Sequence, residues 1–198
     1  MPNLVRLFNL DNKGTTMTTL KVLERSRTSS ITEVIEAIDQ YGQDNVTLKF
    51  SGDVLYQSSK INFSDYESYI KLASVGNKET ITSLFNELVS QQDYAVGIAK
   101  AAGVSITDFF ERMLMIGVEK DVYFDNIPTF TPLHILNALA EKNLIRLYYI
   151  ERTESIDLDF VRKYADQMDL GNLQHHTDND EVSNFIDTYV NDDEQEED

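Results

Sequence analysis

The 198-residue chain has no cysteine, no tryptophan and three prolines, and it sets only 17 basic residues against 34 acidic ones. Each shortage excludes something. Without cysteine there is no disulfide framework, no thiolate nucleophile and no cysteine-based zinc or iron–sulfur site, a usage that suits a reducing cytoplasm. The shortage of Lys and Arg removes the groups that neutralise phosphates, the main source of nucleic-acid affinity. At a net charge of -17 the chain is repelled from DNA and from anionic membranes unless its cations share one face. They are scattered; the densest group is Lys21, Arg25 and Arg27. No stretch approaches the ~20 consecutive apolar residues of a membrane span, and Met1 to Leu10 is too short and too interrupted by Asn3, Arg6 and Asn9 for a signal peptide.

Catalytic patterns are missing as well. No Walker loop, GxGxxG or GxSxG occurs. The many carboxylates are not spaced in a way that implies acid/base work. No catalytic, cofactor-binding or metal-ligating residue is assigned, and an enzyme is the least supported class. His134 falls at a helix start. His175, His176 and Asp178 could chelate a metal only weakly, because adjacent positions in a loop do not close a site.

What is present is enough to fold. Hydrophobic residues make up 41%, with ten Phe and ten Tyr, a content unusual in disordered chains. The pattern predicts an α+β fold, mostly helical, with a few short antiparallel strands and a helix-turn-helix-like corner. Three segments are expected: an N-terminal arm at 1–17 (Met17 being a second candidate start), a mixed body at 18–173 and an acidic tail at 174–198. Thr18 to Glu24 alternates as a strand. Ser30-Ile31-Thr32-Glu33 is a capping box for a helix with Ile31, Val34, Ile35 and Ile38 on one face, stopped by Gly42. Val46 to Phe50 and Val54 to Tyr56 flank Ser51-Gly52-Asp53 as a hairpin. Helices follow at Ser64 to Leu72, at Lys78 to Ser90, at Ala95 to Ala102 and at Ile106 to Ile116, the last ended by Gly117. Thr131-Pro132 starts another that runs to about Lys142. Asp157 to Met168 forms one more, ending near Gly171.

Ile98 to Phe110 resembles a helix-turn-helix unit, with Ala99 where such units need a small residue, Gly103 at the turn, and Ile98, Val104 and Phe109 at core positions. Arg112 departs from it, standing where an apolar residue is usual, and Asp108 and Glu111 on the second helix suit phosphate poorly. An ordinary helical corner, a non-DNA-binding descendant and a DNA reader all fit. Leu136 to Ile150, with Leu144 to Ile150 as a strand, looks like the helix-to-strand passage of a winged-helix domain. Any helix followed by an antiparallel strand gives the same pattern.

Ser64 to Tyr69 is the most suggestive binding patch. Asp65 and Glu67 fall in a first helical turn, where the dipole favours negative charge. Tyr66 and Tyr69, three apart, can share a face beside these carboxylates and would suit arginines on a partner. Capping with partly buried tyrosines explains the same residues. The tail holds ten acidic residues and no Lys or Arg from Gln174 to Asp198, yet Val182, Phe185, Ile186, Tyr189 and Val190 make a helical stripe. Asp178 or Asp180 can cap that helix. Its apolar face is expected to dock on the body or in a partner's groove, with Asn191 to Asp198 remaining solvated.

The small size, the acidity, the Tyr and Phe content, Ser64 to Tyr69 and the acidic Asp192 to Asp198 together resemble the staphylococcal-phage early proteins that bind the host primary sigma factor and inhibit RNA polymerase. The resemblance implies a non-enzymatic transcription regulator in the host bacterial cytoplasm. Its partner would be the basic helix-turn-helix domain of sigma that recognises the −35 element, met through Asp65, Tyr66, Glu67 and Tyr69. No cofactor, membrane or sequence-specific DNA contact is expected. The alternative is an acidic DNA mimic occupying the DNA site of a nuclease or another DNA-binding protein.

Overall fold

A computed structural model describes residues 21–25, 31–50 and 66–193. The expected arm at 1–17, the capping residue Ser30 and the second hairpin arm, Val54 to Tyr56, lie outside the described residues. The chain divides into two compact units, Met1–Val122 and Tyr123–Asp198. The boundary falls within the segment 18–173 that was read as one body, and the tail helix lies in the second unit. The described structure is mostly helical, with two short strands.

In the first unit, β1 (Lys21–Arg25) and β2 (Val46–Phe50) pair in parallel, with Lys21 opposite Val46 and Arg25 opposite Phe50. Antiparallel strands were expected. The helix α1 (Ile31–Tyr41) lies between the two strands, and a helical crossover brings the chain back in its original direction. Gly42 ends α1 with φ 85°, its N–H donating to the Ile38 carbonyl at 2.8 Å. Both α1 and α3 (Lys78–Ser90) pack on β2. Val46, Thr47 and Leu48 are all buried as a result, a pattern closer to an interior parallel strand than to a half-wet hairpin arm.

The helices α2 (Tyr66–Val75), α4 (Gln92–Ala102) and α5 (Ile106–Glu119) complete this unit. Its interior is aromatic. Phe109 and Phe110 of α5 are both buried, and Phe110 meets Phe85 of α3 edge-on at 5.7 Å. Gly117 does not end α5. It is a buried interior residue whose carbonyl accepts from Val122 N at 2.8 Å, while the left-handed stop is Asp121 at φ 52°. The same closure ends α4, where Gly103 takes φ 73° and Val104 N donates to the Ala99 carbonyl at 3.0 Å. The helix stop at Asp121 was missed because a short polar residue there does what glycine usually does.

In the second unit, α6 (Leu133–Glu141) follows Pro132 as expected and closes through Asn143 at φ 55°. Leu144 to Ile150 is not a strand, and the winged-helix passage is absent. Ile145 makes one isolated parallel bridge to Phe124, and Leu147–Tyr149 is a 3₁₀ turn. Leu147 and Ile150, three apart, point inward while Tyr148 and Tyr149 point out; that is a turn's periodicity, not a strand's. The helix α7 (Leu158–Tyr164) is capped by Asp157 and continues as a 3₁₀ turn to Gln167. It does not reach Gly171, which lies inside α8 (Leu170–His176), a separate helix capped by Asp169. Finally α9 (Asp180–Asp193) packs on α7 and α8. Among the described residues no helix is long and apolar enough to cross a membrane.

Candidate interaction surfaces

The residues singled out between Ser64 and Tyr69 differ in exposure. Asp65 lies outside the described residues. Glu67 is exposed and Tyr66 half-buried, its ring edge 5.1 Å from that of Phe109. Tyr69 is fully buried; its ring meets Phe109 at 6.2 Å and 90°, and its hydroxyl donates to the Tyr94 hydroxyl at 3.3 Å. The i, i+3 spacing does place both tyrosines on one face, but that face is turned toward α5. Tyr69 therefore has no exposed surface, and it holds α2 on the core.

The helix-turn-helix-like corner is present as a backbone arrangement. Ile98, Ala99 and Phe109 are buried, Val104 is half-buried, and the Ser105 hydroxyl caps α5 by accepting from Asp108 N at 3.0 Å. Arg112 is exposed and Asp108 with it, so the outer face of α5 presents mixed charge and no cationic stripe. Such a face does not neutralise a phosphate backbone.

The tail's apolar stripe docks within its own unit. Val182 and Ile186 are buried, Phe185 and Tyr189 half-buried, and Val190 exposed. The Tyr189 hydroxyl donates to Asp166, Gln174 donates to Asp187, and the Arg162 guanidinium lies 5.8 Å from the Phe185 ring centre. Asn179, not Asp178 or Asp180, caps α9: its Oδ1 accepts from Glu181 N at 3.0 Å and from Val182 N at 3.3 Å.

Charge is divided unequally. Residues 123–198 hold 18 acidic and five basic residues, so this unit of 76 residues carries -13, and the 122 residues of the first unit carry -4. Among the described residues most of its carboxylates are exposed; the ion pair of Lys163 with Glu141 at 2.9 Å joins two half-exposed side chains, a kind of contact that contributes little. That hydrogen bond and Tyr164 hold the Lys163 pKa above its ordinary value. Among the described residues no three His, Asp or Glu side chains converge as a metal site, and His175 and His176 are both exposed.

Sequence reasoning passed over one surface. Tyr148 and Tyr149 are 50% and 59% exposed, more than any other large apolar side chain described, and their rings meet edge to face at 5.1 Å. The Tyr148 hydroxyl is hydrogen-bonded to the Asp169 carboxylate, which raises its pKa, and the charges of Asp169, Tyr149 and Glu151 add to the effect. The Arg146 guanidinium lies 5.5 Å from the Tyr149 ring centre. Beside Tyr149 a cavity of about 140 Å³ is lined by Arg146, Arg152, Asp125, Ile127 and Thr153. A second, of about 310 Å³, is lined by Glu151, Glu154, His176 and Asp178. Glu151 Oε1 accepts from Asn172 Nδ2 at 3.0 Å, whereas Oε2 is buried with no partner. The spacing of Leu147 and Ile150 was the available signal, masked by a run that reads as a strand.

No protein-family model matches the chain, and no curated protein or solved structure matches it.

Proposed function

We propose that this chain is a non-enzymatic regulator of bacterial transcription, of the phage-encoded inhibitor type, that binds the primary sigma factor of the host RNA polymerase through a basic, DNA-contacting surface. The supporting observation is the concentration of -13 in 76 residues of the second unit. A unit so charged is attracted to surfaces evolved to meet phosphates and is repelled by DNA itself. Bound beside a promoter, it would repel or occlude upstream DNA and whatever else binds there. Some promoters would then be inhibited more than others, with sigma still held by polymerase. The host bacterial cytoplasm is where such a partner is met.

Affinity capture of polymerase from host lysate tests the reading. Retention of sigma-containing holoenzyme at about 0.15 M salt is expected, with association slowing as salt rises. Retention of no polymerase subunit contradicts it. Release of the captured partner by duplex DNA, with a nuclease or another DNA-binding protein in place of polymerase, would identify a DNA mimic instead.

A further inference from the structure

We infer that the cavity beside Tyr149 in the second unit is a binding site for a small oxyanion, inorganic phosphate in its hydrogen phosphate form, held by the guanidinium groups of Arg146 and Arg152. This site is independent of the sigma-factor reading and draws on the few cations of the unit.

The charge at this cavity has the opposite sign to that of the unit around it. Residues 123–198 hold five basic residues against 18 acidic ones. Two of the five, Arg146 and Arg152, nevertheless line one cavity of about 140 Å³ with a single carboxylate, Asp125. Among the described residues neither guanidinium is in an ion pair, whereas Lys163 is matched with Glu141 at 2.9 Å. Two cations lining one cavity repel each other, and an anion between them offsets that repulsion. The net -13 of the unit does not keep a small ion out. The Debye length is about 8 Å at physiological salt, so distant carboxylates are screened and arginines in contact are not.

The walls of the cavity are tied in place. Phe124 N donates to the Leu144 carbonyl, Glu154 N to the Thr129 carbonyl and Thr153 N to the Ile150 carbonyl, each at 2.8 Å. Arg146 lies over the Tyr149 ring, 5.5 Å from its centre, which orients the guanidinium and leaves its edge N–H groups for an acceptor. Thr153, only 7% exposed, lines the same cavity, and among the described residues its hydroxyl makes no hydrogen bond. A buried hydroxyl gains from a partner that the free chain does not supply. The volume is well above the ~15 Å³ that one water needs and below the roughly 300 Å³ at which sites for drug-sized ligands begin. A small ion fits it. Guanidinium groups grip the oxygens of such an anion in pairs. Asp125 then selects among oxyanions, because its carboxylate accepts from a P–OH group, which hydrogen phosphate carries and sulfate lacks.

The test titrates the full chain with sodium phosphate and, separately, with sodium sulfate at constant ionic strength, followed by amide shifts. Saturable phosphate shifts centred on residues 125–129 and 146–153 are expected, with sulfate binding several-fold weaker. Arg146→Gln and Arg152→Gln should each weaken phosphate binding by about tenfold. Their thermal midpoints should stay near that of the unaltered chain, because both side chains are exposed. Arg162→Gln removes the same charge from α7 and should leave phosphate binding unchanged. Asp125→Asn should bring the affinity for sulfate closer to that for phosphate. Phosphate shifts that do not saturate, that fall on other segments, or that weaken as much in Arg162→Gln as in the other two variants overturn the inference. Sulfate binding as tight as phosphate overturns the choice of hydrogen phosphate.

Discussion

The Asn77 side chain joins a helix to a strand with both of its polar atoms. Its Oδ1 accepts from Thr80 N at 2.9 Å, capping α3, while its Nδ2 donates to the Val46 carbonyl at 3.1 Å and to Thr47 Oγ1 at 2.7 Å on β2. Thr80, one turn on, accepts the Leu48 N–H on its Oγ1 at 3.0 Å. Side chains from a helix N-terminus thus satisfy backbone groups of β2 that a further strand would otherwise take.

Asn77→Ala removes the cap and leaves the Val46 carbonyl without this donor. A loss of about 1–3 kcal/mol is expected in urea unfolding. Thr80→Val keeps the shape and deletes only the acceptor of the Leu48 N–H, and it should cost about 1–3 kcal/mol by the same measurement. A negligible effect of both would show that α3 is held on β2 by apolar packing alone.

Gly76 and Gly103 are both needed, for different reasons. A Cβ on Gly76 would lie 2.8 Å from the Leu72 carbonyl oxygen and 2.9 Å from Thr80 Cγ2, so Gly76→Ala should cost about 1–3 kcal/mol through overpacking. At Gly103 the space is open and only the φ of +73° resists a side chain. Gly103→Ala should cost about 1–2 kcal/mol, and Gly103→Asn less, because Asn tolerates the left-handed region. Thermal unfolding of the three variants checks this order.

Lys120 donates from Nζ to the Gly76 carbonyl at 2.9 Å. Burial lowers its pKa below the ordinary 10.5, against an opposing pull from Glu119. The folded chain therefore holds this proton less tightly than the unfolded chain does. Charged Lys120 costs stability at neutral pH, and that cost is relieved as pH rises through its folded pKa toward 10.5. Unfolding free energies measured against pH should show the unaltered protein gaining on Lys120→Met in the interval just below 10.5. Parallel curves would mean that this amine stays solvated.

The acidic tail divides at the end of its apolar stripe. Burial of Val182 and Ile186 contributes at most roughly 3–6 kcal/mol to the second unit. A chain ending at Thr177 should lose the cooperative unfolding of that unit, followed by near-ultraviolet circular dichroism of its tyrosines. A chain ending at Val190 should melt almost as the full chain does and differ mainly in the salt dependence of binding.

These features were unequally legible. The spans of α1 and α3, the corner at Gly103 and the docking stripe from Val182 to Ile186 were all readable, because apolar periodicity and caps are local signals. The inward turn of Tyr69 was not, because spacing says that two side chains share a face and is silent on where that face points. Leu144 to Ile150 looked like a strand, but β structure needs a partner, and only Ile145 finds one, at Phe124. The division near Val122 carries no linker composition. The compositional break at residue 174 falls inside α8, which packs on α9.

The central claim is that an acidic unit meets the basic surface of a sigma factor. Isothermal titration of the full chain into purified primary sigma factor, repeated over a series of salt concentrations, tests it most directly. Saturable binding whose affinity falls steadily with added salt is the predicted result. No binding at low salt, where attraction between opposite charges is least screened, would contradict it.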